Sequence, residues 1–239
     1  MCERDGTVIR TQEYDRVRVV TLDRPDRRNA LTPDGLDALE AAVTDADQPV
    51  VYLRGEGPAF CAGADLDVVA GLDREAAEAF AERGQRVADA IEDADSAVVA
   101  GIDGPARGGG VELALACDLR VATPEATFAE PGVKLGLFGA WGGTARLPRI
   151  VGEGEALDLA LSGRTVDAEA ARRMGLVSRV ADDPRAVADE LAANDPETLR
   201  LVKERMRDDS PPEVQQRRET EVFGRLVDRH ADAIADRRE

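Results

Sequence analysis

Lysine is nearly missing from this 239-residue chain: Lys134 and Lys203 are the only two, and arginine supplies the remaining basic side chains. With 48 acidic against 31 basic residues the formal net charge is −17. That balance argues against a nucleic-acid partner, whose phosphates need a basic face. Histidine is reduced to His230, and the three cysteines, Cys2, Cys61 and Cys117, have no CxxC spacing, so no metal site is expected. A sparse, odd set of thiols fits a reducing, cytoplasmic setting better than a disulfide framework. No apolar stretch approaches the roughly 20 residues of a membrane span. The charged and polar segment 1–16 does not read as a signal peptide. No Gly-x-Ser-x-Gly elbow is present, so serine hydrolase chemistry has no support.

A hydrophobic content of 43% is ordinary for a globular protein, and the length suffices for one large α/β domain plus a small appendage. Strands are expected at 17–22, 50–54, 97–102 and 119–122. Helices are expected at 34–44, opened by Thr32 and Pro33, and at 73–93, 109–116 and 143–150. Their alternation indicates an α/β architecture. Beyond about Asp182 only helical patterns remain, at 186–193, 198–207 and 212–237. The chain therefore divides into 1–181, a core holding the site, and 182–239, a helical region.

The segment Gly104-Pro105-Ala106-Arg107-Gly108-Gly109-Gly110 carries three consecutive glycines, which let a backbone pass close to a ligand and present bare N–H groups. It runs at once into the apolar helix Val111-Glu112-Leu113-Ala114-Leu115, with one carboxylate in the first turn. Such a pairing suits a site that stabilises a developing negative charge and moves a proton. Upstream lies Phe60-Cys61-Ala62-Gly63-Ala64-Asp65-Leu66. Arg24, Arg27 and Arg28 form a local cationic cluster in a chain that otherwise repels anions.

Together these segments resemble the crotonase superfamily, the enoyl-CoA hydratases and isomerases. Leu22-Asp23-Arg24-Pro25, Arg28-Asn29-Ala30-Leu31, Ala116-Cys117-Asp118-Leu119-Arg120, Gly142-Gly143-Thr144 and Gly175-Leu176-Val177 follow in the family's order. The resemblance implies a crotonase-like spiral of ββα units with a C-terminal α-helical trimerisation region. It implies an acyl-CoA thioester as partner, no cofactor because coenzyme A is part of the substrate, and a homo-oligomer, either a trimer or a dimer of trimers. The oxyanion-binding amides fall on Ala64 and Gly109, and the first catalytic glutamate on Glu112. Substrate and CoA contacts are expected at Arg24, Arg27, Arg28, Ala30, Ala62, Asp65, Leu66, Gly108 and Phe138, and at Trp141, whose ring either lines an acyl pocket or packs in the core.

One position departs from the pattern. The family's second glutamate falls on Gly132, within Phe128-Ala129-Glu130-Pro131-Gly132. Glu130 is the nearest carboxylate; in an extended segment it would face the same side as position 132, starting about 6–7 Å away. A glycine there, with Phe138 beyond it, also resembles the naphthoyl-CoA synthases. Those enzymes, however, carry an aspartate where Gly139 stands and lack the Glu112 equivalent. The expected activity is enoyl-CoA hydration. The alternatives are a double-bond isomerase, a decarboxylase or a thioesterase with Glu112 as sole acid and base, or a non-catalytic acyl-CoA binder.

The acid-rich, lysine-poor composition also resembles that of salt-adapted proteins, in which salt screens self-repulsion. Thermal stability is expected to rise as potassium chloride goes from tens of millimolar to molar. A melting temperature independent of salt would contradict that reading.

Overall fold

The computed structural model describes residues 8–236, so Cys2 and the last residue of the helix expected at 212–237 lie outside it. Val17–Leu22 (β2), Val50–Gly55 (β3), Ala97–Ile102 (β4) and Leu119–Ala122 (β6) lie side by side in parallel. Ile9–Glu13 (β1) closes one edge antiparallel to β2, and Arg179–Val180 (β9) closes the other parallel to β6. All six residues of β4 are buried. Its unbroken apolar run, Ala-Val-Val-Ala-Gly-Ile, is what a parallel strand covered on both faces requires.

A second, smaller layer contains Pro105–Arg107 (β5), Thr127–Ala129 (β7) and Val166–Asp167 (β8). Single bridges from Leu31 to Ala64 and from Cys61 to Ala106 continue this layer toward the N-terminal part of the chain. Each turn of chain thus leaves one strand in the large sheet and a shorter piece in the second layer. The architecture is a spiral of ββα turns.

Helices close the turns. Pro33–Thr44 (α1) begins where Thr32 Oγ1 accepts the Gly35 N–H, and the one-turn Leu66–Val69 (α2) follows Asp65. Arg74–Asp93 (α3) is capped by Asp73 and buries Phe80, Gly84, Val87, Ala88 and Ile91, a single stripe at helical spacing. Gly109–Ala116 (α4) is buried at all eight positions, which places its one carboxylate, Glu112, inside the protein. Gly143–Val151 (α5), Glu153–Ser162 (α6), Ala168–Arg173 (α7) and Pro184–Ala192 (α8) complete this unit. Because α8 packs on β2, β3, β4 and β6, the first compact unit runs to Ala192, beyond the boundary expected after 181.

The second unit, from Ala193 onward, holds Pro196–Met206 (α9), Pro212–Arg229 (α10) and Ala231–Asp236 (α11). The single helix expected over 212–237 is interrupted at His230, which leaves helical geometry at φ −106° and ψ 17°. Asp195 caps α9 through the Thr198 N–H at 2.8 Å.

One polar side chain fastens the turn before α1 to the end of β3. Asn29, 1% exposed, sits in the left-handed region at φ 58°. Its amide nitrogen donates to the carbonyls of Glu56, Ala59 and Phe60 at 3.0, 2.7 and 3.2 Å, and its oxygen accepts the Arg24 N–H at 2.9 Å. Asn29→Ala would orphan several of these buried groups, each costing about 1–3 kcal/mol. The variant is expected to unfold in urea with a stability lower by about 2–4 kcal/mol.

Candidate active site

The glycine triplet is constrained at each position, not merely flexible. Gly108 adopts φ 49° and ψ −122°, a conformation few side chains tolerate, and its N–H donates to the Ala129 carbonyl at 3.0 Å. A Cβ at Gly109 would fall 2.3 Å from the Trp141 ring, and one at Gly110 would fall 2.2 Å from the Cys61 carbonyl oxygen. The helix α4 can therefore begin against the 61–65 segment only because its first residues have no side chains.

That segment is held by a ladder of main-chain bonds. The Ala62 N–H donates to Arg28, the Leu31 N–H to Gly63 and the Asp65 N–H to Leu31, at 2.9, 2.8 and 3.0 Å, while the Arg107 N–H donates to Cys61 at 2.9 Å. Among the described residues no acceptor engages the N–H of Ala64 or of Gly109. The two segments touch, since a Cβ at Gly63 would lie 2.8 Å from the Gly109 nitrogen. Two unused amides thus stand together at the start of a buried helix, where the helix dipole adds positive potential. Both residues line a cavity of about 360 Å³ that Glu112 also reaches.

Glu112 is 1% exposed. Its Oε1 accepts the N–H groups of Trp141 and Gly143 at 2.8 and 2.7 Å, and no donor among the described residues engages Oε2. Gly139 and Gly143 crowd the carboxylate so closely that a Cβ at either would lie 2.7 Å from it. Burial pushes its pKa up, against the two amides and the more distant Arg146, which pull it down. One oxygen is therefore fixed and the other is available for proton transfer.

Glu130 comes to the same place by an unexpected route. The segment is not extended: Pro131–Leu135 is a 3-10 turn with Glu130 at its head, φ −108° and ψ 73°, so strand alternation does not relate Glu130 to Gly132. Glu130 and Glu112 line both the 360 Å³ cavity and a second, largely apolar one of about 490 Å³. Gly132 lines only the first, and a Cβ there would meet the Leu137 oxygen at 3.1 Å.

The arginine cluster is largely committed within the protein. Arg24 donates to the Ala30 carbonyl at 2.6 Å and to Asp65 at 3.0 Å, and Arg27 pairs with Asp65 and Asp67. Asp65, 4% exposed, caps α2 through the Asp67 N–H, so it is a strut for this loop more than a ligand contact. Arg28 remains. No carboxylate pairs with it among the described residues, and it lines a third cavity of about 370 Å³ together with Arg27, Asp26, Asp65 and Asp67 and with Ala30, Ala62, Ala64 and Leu66. Ala62, Ala64 and Leu66 are shared with the cavity at Glu112.

Trp141 is 3% exposed and meets Phe80 edge to face at 5.8 Å. It serves as a wall behind Gly109 while its backbone holds Glu112. Phe138, 74% exposed, stands where the two inner cavities meet. Sequence reasoning missed Arg146, 7% exposed, which bonds Asp89 and Glu92 at 2.6 Å and ties α5, with its Gly143 amide, to α3. The only hint was an arginine amid apolar residues. Cys61 is not a nucleophile here, since burial pushes its thiol up to about 12. Among the described residues no group of three or more His, Cys, Asp or Glu side chains is placed to hold a metal ion.

The family model for enoyl-CoA hydratase/isomerase matches residues 12–230. "Probable enoyl-CoA hydratase" of Mycobacterium bovis is 37% identical over 209 residues, 82% of this chain and 79% of that protein. Crotonyl-CoA hydratase of Syntrophomonas wolfei is 40% identical over 174 residues, covering 71% and 67%. The crystal structure of enoyl-CoA hydratase from Thermoplasma volcanium superposes with a TM-score of 0.89 at 28% identity, over 97% of each chain. The chain belongs to the enoyl-CoA hydratase/isomerase family.

Proposed function

We propose that this protein hydrates a 2-enoyl-CoA to the 3-hydroxyacyl-CoA. The observation that carries the reading is the pair of unused amides, Ala64 and Gly109, beside a carboxylate with one clamped and one open oxygen. The thioester carbonyl oxygen accepts both N–H groups. Glu112 Oε2 takes a proton from water as the water oxygen bonds to the β-carbon. The displaced π electrons move onto the carbonyl oxygen as an enolate, where each amide contributes about 3–4 kcal/mol by analogy with measured oxyanion donors. No cofactor enters, because coenzyme A is part of the substrate.

In this reading the substrate runs along the three cavities, supported by the residues their linings share. The nucleotide end lies toward Arg28, the thioester between Ala64 and Gly109, and the acyl chain toward the apolar cavity lined by Val133, Leu147, Ala156 and Ala160. A homo-oligomer, trimer or dimer of trimers, is part of the same reading, supported by Met206 and Phe223, which the second unit leaves exposed. A cytoplasmic location goes with it, supported by the sparse, odd set of cysteines, of which Cys61 and Cys117 are free thiols.

Double-bond isomerisation is the second reading, favoured by the glycine at 132, since one base suffices to carry a proton between carbons. Loss of the enoyl absorbance of crotonyl-CoA marks hydration, whereas conversion of a 3-enoyl-CoA marks isomerisation.

Glu112→Gln keeps an oxygen for the Trp141 and Gly143 amides and is expected to fold normally. Its kcat should fall by about 10²–10⁴-fold, and retained turnover would remove Glu112 from the mechanism. Arg28→Ala should raise KM for acyl-CoA several-fold with little change in kcat. Arg27→Ala, whose charge Asp65 and Asp67 already neutralise, should raise it less; equal KM in Arg28→Ala and the unaltered enzyme would separate Arg28 from CoA binding.

A further inference from the structure

Glu130 is a carboxylate that no other interaction explains. Its Oε1 is buried without a hydrogen-bond partner among the described residues, an arrangement that costs free energy and is rare unless the group has another use. The neighbouring cations are engaged elsewhere. Lys134 donates to the Gly163 carbonyl at 2.7 Å, Arg107 to the Ala106 and Thr127 carbonyls and the Thr127 hydroxyl, and Arg146 to Asp89 and Glu92. The other acids at these cavities are Glu112, which lines both with Glu130, and Glu153 on the wall of the larger one. Phe138 and Gly139 are the remaining residues common to both linings, so Glu112 and Glu130 both border the region the two cavities share.

We propose that Glu130, not position 132, supplies the second acid of this site, delivering a proton to the substrate α-carbon while Glu112 takes one from water. The inference rests on the hydratase reading. Burial and the Glu112 charge push the Glu130 carboxyl up to about 8, so at neutral pH it is mostly protonated and its hydroxyl is a donor. The 3-10 turn begun by Pro131 brings the side chain to the cavity from two residues before Gly132. A side chain at 132 would itself be squeezed, 3.1 Å from the Leu137 oxygen and 3.2 Å from Phe138 Cα at its first carbon.

Atoms and charges balance. Water oxygen bonds to Cβ and one water proton passes to Glu112. The enolate re-forms the thioester carbonyl as Cα takes the Glu130 proton, leaving Glu130 ionised. The other water proton stays on the new hydroxyl. Glu112 then releases its proton to solvent and Glu130 recovers one, which restores the starting state.

The test compares the unaltered enzyme with Glu130→Gln and Glu130→Asp on crotonyl-CoA across pH 5–10. Glu130→Gln is expected to lower kcat by about 10²-fold or more with KM within a few-fold. The unaltered enzyme should lose kcat as pH rises through about 8, in a limb belonging to the coupled Glu112–Glu130 pair and absent from Glu130→Gln. Glu130→Asp should retain that limb at reduced kcat, which keeps the test decisive should the Gln variant fail to fold.

Stability supplies an independent reading. A carboxyl that keeps its proton in the native state to higher pH than in the unfolded chain lowers stability between the ordinary glutamate range and about 8. Glu130→Gln should therefore melt higher than the unaltered protein at pH 9, with the difference shrinking toward pH 5. Equal kcat and an unchanged pH profile in Glu130→Gln overturn the assignment of Glu130 while leaving the hydratase reading intact. No hydration by the unaltered enzyme overturns both.

Discussion

The two N–H groups of Trp141 and Gly143 on Oε1 of Glu112 are the contact on which the site depends. A carboxylate inside an otherwise apolar helix is costly to bury unless its lone pairs are met. Here the donors come from main chain some thirty positions further along, so the acid stays in place only while that loop does. The loop in turn is held by Gln85 bonding the Ala140 carbonyl at 2.9 Å, by Phe80 against the Trp141 ring, and by Arg146. Much of α3 therefore serves to position one oxygen atom. The opposite oxygen is left toward the cavity, where the unused amides of Ala64 and Gly109 wait.

Much of this was legible in the sequence, for identifiable reasons. The four central strands of the large sheet, β2, β3, β4 and β6, and the helices α3 and α4 show in their apolar runs and stripes, whereas the edge strands β1 and β9 do not. The second layer does not, because β5, β7 and β8 span two or three residues and two further rungs are single bridges. Ala64, Gly109 and Glu112 are named through the family resemblance, which short, glycine-marked segments carry in the sequence itself. What the chain does at Glu130 could not be read from spacing, since a 3-10 turn replaces the extended geometry that alternation assumes.

The arginines show a different limit. Arg24, Arg27 and Arg28 are alike in one dimension, and only the fold distinguishes them. Asp65 and Asp67, some forty positions later, engage the first two and leave the third. The anchoring roles of Asn29, visible in the sequence only as part of a motif, and of Arg146 could not be foreseen for the same reason, because their partners are distant carbonyls and carboxylates. Where a charge ends up depends on tertiary pairing that no local pattern records.

Trp141 is the chain's only tryptophan, and its ring is a buried wall of the cavity beside Gly109. The protein thus carries a single indole, which can be excited at wavelengths where Tyr14 and Tyr52 do not absorb, on the wall of the proposed thioester site. Ligand occupancy can be followed optically without labels, and no second indole dilutes the signal.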